Sequence, residues 1–351
     1  MSLKRRPKSS QKREPAWARY SDEDLLNVRM KDLGVSIKGT WLEGKIAQLH
    51  EELAASGVAV RSHFWLSHEW FSPHDTPGIA VPFYLAHPRL AKLERKMVME
   101  VEGGSARECM RILRHEAGHV VQRAYGLHRR RRWQQLFGNA SKRYPDHYRP
   151  DPTSKRHVQH LRRWYAQCHP DEDFAETFAV WLTPRSSWKK KYTDWPALKK
   201  LEYVDELMTE LAGVKPPPKR RTEMDPMREL RMTLRDHYAA KRERFAVDAP
   251  TIFDRDLKRI FTTEPRQQNA PGASSVIKRH RNRIMTSVAH YTGEYPLALD
   301  AALEDVIDRT RALKLRANGS EQRMRNEITA LLTKRSVTSL YSAGRRQQFA
   351  V

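Results

Sequence analysis

The feature that most constrains this chain is the run His115-Glu116-Ala117-Gly118-His119, set in a segment whose apolar residues recur at helical spacing. Residues at i and i+4 share one face of an α-helix about one turn apart, so both imidazoles can reach a single ion. Glu116 lies beside them and can act as general base on a metal-bound water. Ile112, Leu113, Val120, Val121 and Ala124 supply apolar contacts, Gly126 supplies a terminator, and the spacing predicts a helix over 107–125. Gly118 costs roughly 1 kcal/mol against alanine inside a helix. That penalty makes sense if another backbone passes close by.

A five-residue pattern of this kind also arises by chance in a chain with 15 histidines, so a matching third element matters. It is found in His169-Pro170-Asp171-Glu172-Asp173-Phe174-Ala175-Glu176-Thr177-Phe178-Ala179-Val180-Trp181-Leu182. Proline near the first helical position and acids in the first turn mark a helix start. Glu172 and Glu176 share a face, while Phe174, Phe178 and Trp181 lie on another and pack. A catalytic zinc takes three protein ligands plus water, and two histidines with a glutamate form one established set. The second carboxylate can then accept the N–H of a liganding histidine. The alternative is that Asp171, Glu172 and Asp173 only complement the helix dipole.

The H-E-x-G-H run, followed roughly fifty residues later by E-x-F-A-E-x-F, resembles the gluzincin metallopeptidases. It is especially similar to the zincin domain of anthrax lethal factor and to a bacterial group of zinc-binding metallopeptidases. The resemblance covers most of residues 20–215. It implies an α+β zincin-like domain with a small mixed sheet, followed by a mostly helical C-terminal extension. It further implies His115, His119 and Glu172 as zinc ligands, Glu116 as general base and Glu176 as the acceptor behind a liganding histidine. Tyr165, seven residues before Glu172, would donate to the oxyanion of the tetrahedral intermediate; the alternative is a tyrosine simply packed beside Leu161 and Trp164. His128 is a rival third ligand, but Arg129 to Arg132 beside it oppose a cation. Tyr125 stands where the metzincin pattern wants a histidine. His157 and His160, among Lys155, Arg156, Arg162 and Arg163, read as a solvated basic face.

The chain divides at Lys215-Pro216-Pro217-Pro218-Lys219-Arg220-Arg221, where consecutive prolines force an extended connector, and no tryptophan or cysteine follows it. The expected parts are a basic flexible arm (1–20), a zincin-like metallopeptidase domain (21–214), a Pro-rich basic linker (215–221) and a basic helical extension (222–351). Within the domain the pattern predicts a helix over 42–55 ended by Gly57, strands over 58–66 and 79–85, and helices over 158–166 and 198–211. Pro82 lacks a ladder donor and points to an edge strand, to which an extended peptide can add.

Charge adds a bias. Lys and Arg number 65 against 42 Asp and Glu, a formal +23, so a nucleic acid or other polyanion is a candidate partner. Basic clusters at 129–132, 162–163, 188–191, 219–221 and 278–283 can meet phosphates, but no base-reading motif accompanies them. No apolar run is long enough to span a bilayer, so no membrane insertion is expected. The N-terminus has no apolar secretory core. The only cysteines, Cys109 and Cys168, exclude a disulfide scaffold and fit a reducing cytoplasm. The expectation is a cytoplasmic, Zn2+-dependent hydrolase of peptide bonds acting on proteins or peptides. The alternative is a basic nucleic-acid-associated binding protein with a structural or degenerate zinc site.

Overall fold

Capping side chains set where the helices of the first half begin. Thr40 accepts from the Leu42 amide to open α1 (Trp41–Ala55), and Ser105 accepts from the Glu108 amide to open α3 (Ala106–Ala124). His87 and His169 cap α2 (Pro88–Val98) and α5 (Pro170–Leu182), each imidazole accepting a backbone N–H and each followed by a proline. Gly57 and Gly126 follow α1 and α3 in the left-handed conformation that a side chain would disfavour. The computed structural model describes residues 14–218, 220–245, 254–264, 269–341 and 349–350.

The remaining longer helices are α4 (Arg131–Phe137), α6 (Leu198–Glu210), α7 (Leu234–Phe245), α8 (Asp254–Ile260), α9 (Ala273–Thr292), α10 (Pro296–Ala312) and α11 (Glu321–Tyr341). Strands β1 (His63–Ser67) and β2 (Gly78–Pro82) pair in parallel, Phe64 opposite Ile79 and Leu66 opposite Val81. This is an α+β fold: a mostly helical chain around a small sheet, with a helical C-terminal part. Among the described residues no helix is long and apolar enough to cross a membrane. Cys109 and Cys168 are both free and buried.

Three local expectations change. The strands are shorter than 58–66 and 79–85, and Phe83–Ala86 is a 3-10 turn. The outer side of β2 is not open to an added strand at its centre, because Ala80 already donates to the Phe71 carbonyl at 2.9 Å. Residues 158–166 do not form a helix; Arg163 and Trp164 take positive φ, and only Tyr165–Gln167 makes a short 3-10 turn.

Of the expected arm, residues 1–13 lie outside the described residues. Residues 16–19 are folded, with Trp17 buried and its Nε1 donating to the Leu33 carbonyl at 2.8 Å. Likewise the first apolar core runs past the Pro-rich stretch. It unites Leu25, Met30, Leu113 and Phe174 with Leu234 and Tyr238 of α7. The Met30 and Lys31 amides donate to the Met232 and Leu230 carbonyls, so the returning chain is laced to the N-terminal segment. A second core, with Leu257, Val276, Leu303 and Ile328 at its centre, unites α8 to α11.

Gly118 shows why α3 and α5 can approach so closely. A Cβ built there would lie 2.8 Å from the Ala175 Cα and 3.1 Å from its carbonyl oxygen. Gly118→Ala must therefore push the two helices apart, and overpacking of this kind costs about 1–3 kcal/mol. We expect a thermal midpoint lowered by several degrees together with weakened metal retention. An unchanged midpoint in a melting curve would count against this packing.

Candidate metal centre

α3 and α5 bring His115, His119 and Glu172 to one point, all three buried. The His115 and His119 Nε2 atoms are 3.1 Å apart, and Glu172 Oε2 lies 2.9 and 3.2 Å from them. Among the described residues this is the one group of three or more His, Cys, Asp or Glu side chains so clustered. His128, on the turn after α3, is not in it, nor are His157 and His160.

The donor set fits a zinc ion. Ligand atoms of a tetrahedral zinc lie roughly 3.3 Å apart when each bond is about 2.0–2.1 Å, close to the spacing found. The tautomer also fits. Glu176 Oε1 is 2.9 Å from His115 Nδ1, and an ionised carboxylate can only accept, so Nδ1 carries a proton and Nε2 is the nitrogen left to face the cluster. Burial opposes charge on His115, but the Glu172 and Glu176 carboxylates outweigh it and hold its pKa well above the usual value, so Nε2 would carry a second proton that a bound ion displaces. Glu172 is held well below the carboxylate range: burial pushes it up, and His119 and His115 more than offset this. Two buried carboxylates facing two imidazoles therefore call for positive charge at their centre.

Each acid at the start of α5 has a different partner. Asp171 accepts from Gln122 Nε2 at 2.7 Å, which ties α5 to α3. Asp173 pairs with Lys200 at 2.5 Å, and burial still pushes its carboxyl up to about 7. Only Glu172 turns to the histidines. Dipole complementation therefore does not account for all three. Glu176 Oε2 accepts from the Leu161 and His160 amides at 2.7 and 3.2 Å, so the segment expected as a helix instead bends to satisfy this carboxylate. His160 is buried rather than solvated. Burial lowers its pKa to about 4, and its Nε2 donates to the Arg111 carbonyl at 2.9 Å.

Glu116 faces the same cavity as the three clustered residues, and its Oε2 accepts from Ser72 Oγ at 2.8 Å. Arg123, one helical turn beyond His119, donates to the Ser72 carbonyl and so fixes that loop to α3. Tyr165 also lines the cavity, its ring centroid 5.8 Å from that of His115. A residue without a signal in the sequence is Tyr144. Its hydroxyl donates to Glu172 Oε1 at 3.0 Å, and its ring stacks on His169, the cap of α5, at 3.8 Å. Tyr144 lies in a loop with no periodic pattern, so nothing in its surroundings marks it.

Residues 91–193 match a family model described as "Putative zinc-binding metallo-peptidase", a span containing both α3 and α5. No curated protein and no solved structure matches the chain.

Proposed function

We propose that the chain is a zinc-dependent peptide-bond hydrolase of the gluzincin type, with His115, His119 and Glu172 as ligands. The observation that carries this reading is the convergence of three buried ligand atoms beside Glu116 in a walled cavity of about 760 Å³. A zinc ion held there supplies Lewis acidity and makes water a nucleophile at neutral pH. Glu116 accepts the proton of the attacking water and hands it to the leaving amine; Ser72 Oγ, 2.8 Å from Oε2, keeps the carboxylate in place. Glu176 holds His115 in the tautomer that leaves Nε2 free, and Tyr144 holds the other oxygen of Glu172. Tyr165 stands on the cavity wall beside His115 and is the donor to the developing oxyanion.

The nucleic-acid reading has less support. Several arginines of the basic clusters have acidic partners close by: Arg130 pairs with Glu210, Arg132 with Glu206, Arg163 with Glu100, and Arg281 with Asp300 and Glu304. A paired arginine offers a phosphate less than a free one. The basic surface then biases which proteins approach.

Elemental analysis of protein purified without chelators is expected to find about one zinc per chain. Chelation should abolish hydrolysis of an unfolded protein substrate, and added zinc should restore it. Folded protein that holds no zinc and takes none up would remove the proposal.

A further inference from the structure

The cavity that holds the metal-facing side of α3 does not close on the first core alone. Its far wall is Tyr295-Pro296-Leu297, with His290 beside them, at the corner between α9 and α10. Gly293 turns the chain there with φ +72°, and Pro296 starts α10. All three wall residues are partly exposed, and none of them belongs to the second core.

One residue of the site-bearing segment pins this corner. Arg163 Nε donates to the Gly293 carbonyl at 3.0 Å and Nη2 to Glu100 at 3.1 Å, while its guanidinium lies 3.6 Å from the centroid of the Tyr295 ring. On the other side Tyr148 Oη donates to the Arg163 carbonyl at 2.9 Å. The Tyr148 ring meets that of Tyr165, which faces His115. Tyr295 packs in the same apolar cluster as Tyr148 and Tyr165. Arg163 and Trp164 are held at φ +62° and +53°, a conformation side-chain-bearing residues keep only where the surroundings impose it, commonly at ligand clamps.

We propose that the Tyr295–Leu297 corner is a substrate subsite of the metal cleft, taking an apolar side chain of an extended peptide, with Arg163 as the positioning residue that holds the corner against the site. The inference rests on the peptidase reading above and gives the C-terminal helical part a role in substrate choice. The Tyr295, Pro296 and Leu297 side chains offer dispersion contacts, with Glu100, Arg163 and His290 also lining the cavity around them. The proline ring is rigid and Tyr295 is already packed, so binding there orders little beyond Leu297. The cavity, at about 760 Å³, is within the size range of sites that engulf a ligand of several groups.

The test uses the full chain carrying Glu116→Gln and loaded with zinc. Binding is read by fluorescence anisotropy of two pools of short synthetic peptides. One pool carries Leu, Phe and Met at its randomised positions, the other Ser, Gly and Asn. Leu297→Asp should weaken binding of the apolar pool about tenfold and narrow the gap between pools, at unchanged zinc content. Arg163→Leu should act in the same direction. Arg163→Lys should recover only part, because an ammonium cannot both stack on Tyr295 and bridge to Gly293 and Glu100. Tyr291→Ser, at a position 70% exposed outside the cleft, should change neither pool. Unchanged affinity and preference in Leu297→Asp would overturn the subsite. So would loss of affinity in Arg163→Leu alone, accompanied by zinc loss or a lowered melting point. Wild-type protein that cleaves peptides without apolar preference overturns the subsite only. Zinc-loaded protein that neither cleaves nor binds either pool overturns the peptidase reading and the subsite with it.

Discussion

Glu116→Gln is expected to lower peptide hydrolysis by about 10²–10⁴-fold, the usual share of a positioned general acid–base group, while zinc content stays at the wild-type level. Glutamine matches glutamate in size and keeps an oxygen for the Ser72 hydroxyl, so the contact at 2.8 Å and the helix around it survive. The basic oxygen is what disappears. Neither His115 nor His119 can substitute, because their Nε2 atoms point into the ligand cluster, within 3.1 Å of each other. The effect should fall on kcat more than on KM, since the carboxylate acts on the proton of the nucleophile and not on binding of the chain. Turnover of an unfolded, fluorescently labelled protein, with zinc measured on the same sample, decides the matter. Activity retained in Glu116→Gln would refute the general-base role.

Glu172→Ala should remove zinc from the purified protein almost entirely, a larger loss than the about 10–100-fold fall in affinity expected for Glu176→Ala. The difference follows from where the two carboxylates stand. Glu172 Oε2 is within 3.2 Å of the Nε2 atoms of both His115 and His119, whereas Glu176 meets only the far nitrogen of His115 and two backbone amides. His128→Ala should leave zinc content untouched, since His128 is outside the cluster. Competition with a metal-sensitive dye across the three variants gives the order. Full zinc in Glu172→Ala, or its loss in His128→Ala, would reassign the third ligand.

Much of this site can be read from local spacing. His115, Glu116 and His119 depend only on the period of one helix, and α3 spans 106–124 against an expected 107–125. The Pro170 start with its acids is equally local, and α5 follows it. Gly118 signalled a close approach, and Ala175 is the residue that approaches. The segment over 158–166 is the instructive difference. Val158, Leu161, Trp164 and Tyr165 carry helix-like spacing. The bend that satisfies Glu176 and the positive φ at Arg163 and Trp164 come from partners distant in sequence. A window of neighbours contains no trace of them.

The same reasoning separates the two sources of information for the whole protein. The sequence alone determined which helices form around the site and which side chains share a face, because helical period and end-capping act within a few residues. Spacing placed Glu172 and Glu176 one turn apart on one face, and only the resemblance to the gluzincins gave them different expected roles. The tertiary structure gives them different partners: α5 packs on α3 at Gly118, so that Glu172 meets the Nε2 atoms of both His115 and His119 and Glu176 meets the Nδ1 of His115. It also carried Tyr144, Ser72 and the Tyr295–Leu297 corner to the same cavity. Those contacts join residues far apart along the chain, and their energies depend on distances that exist only once the two helices have closed.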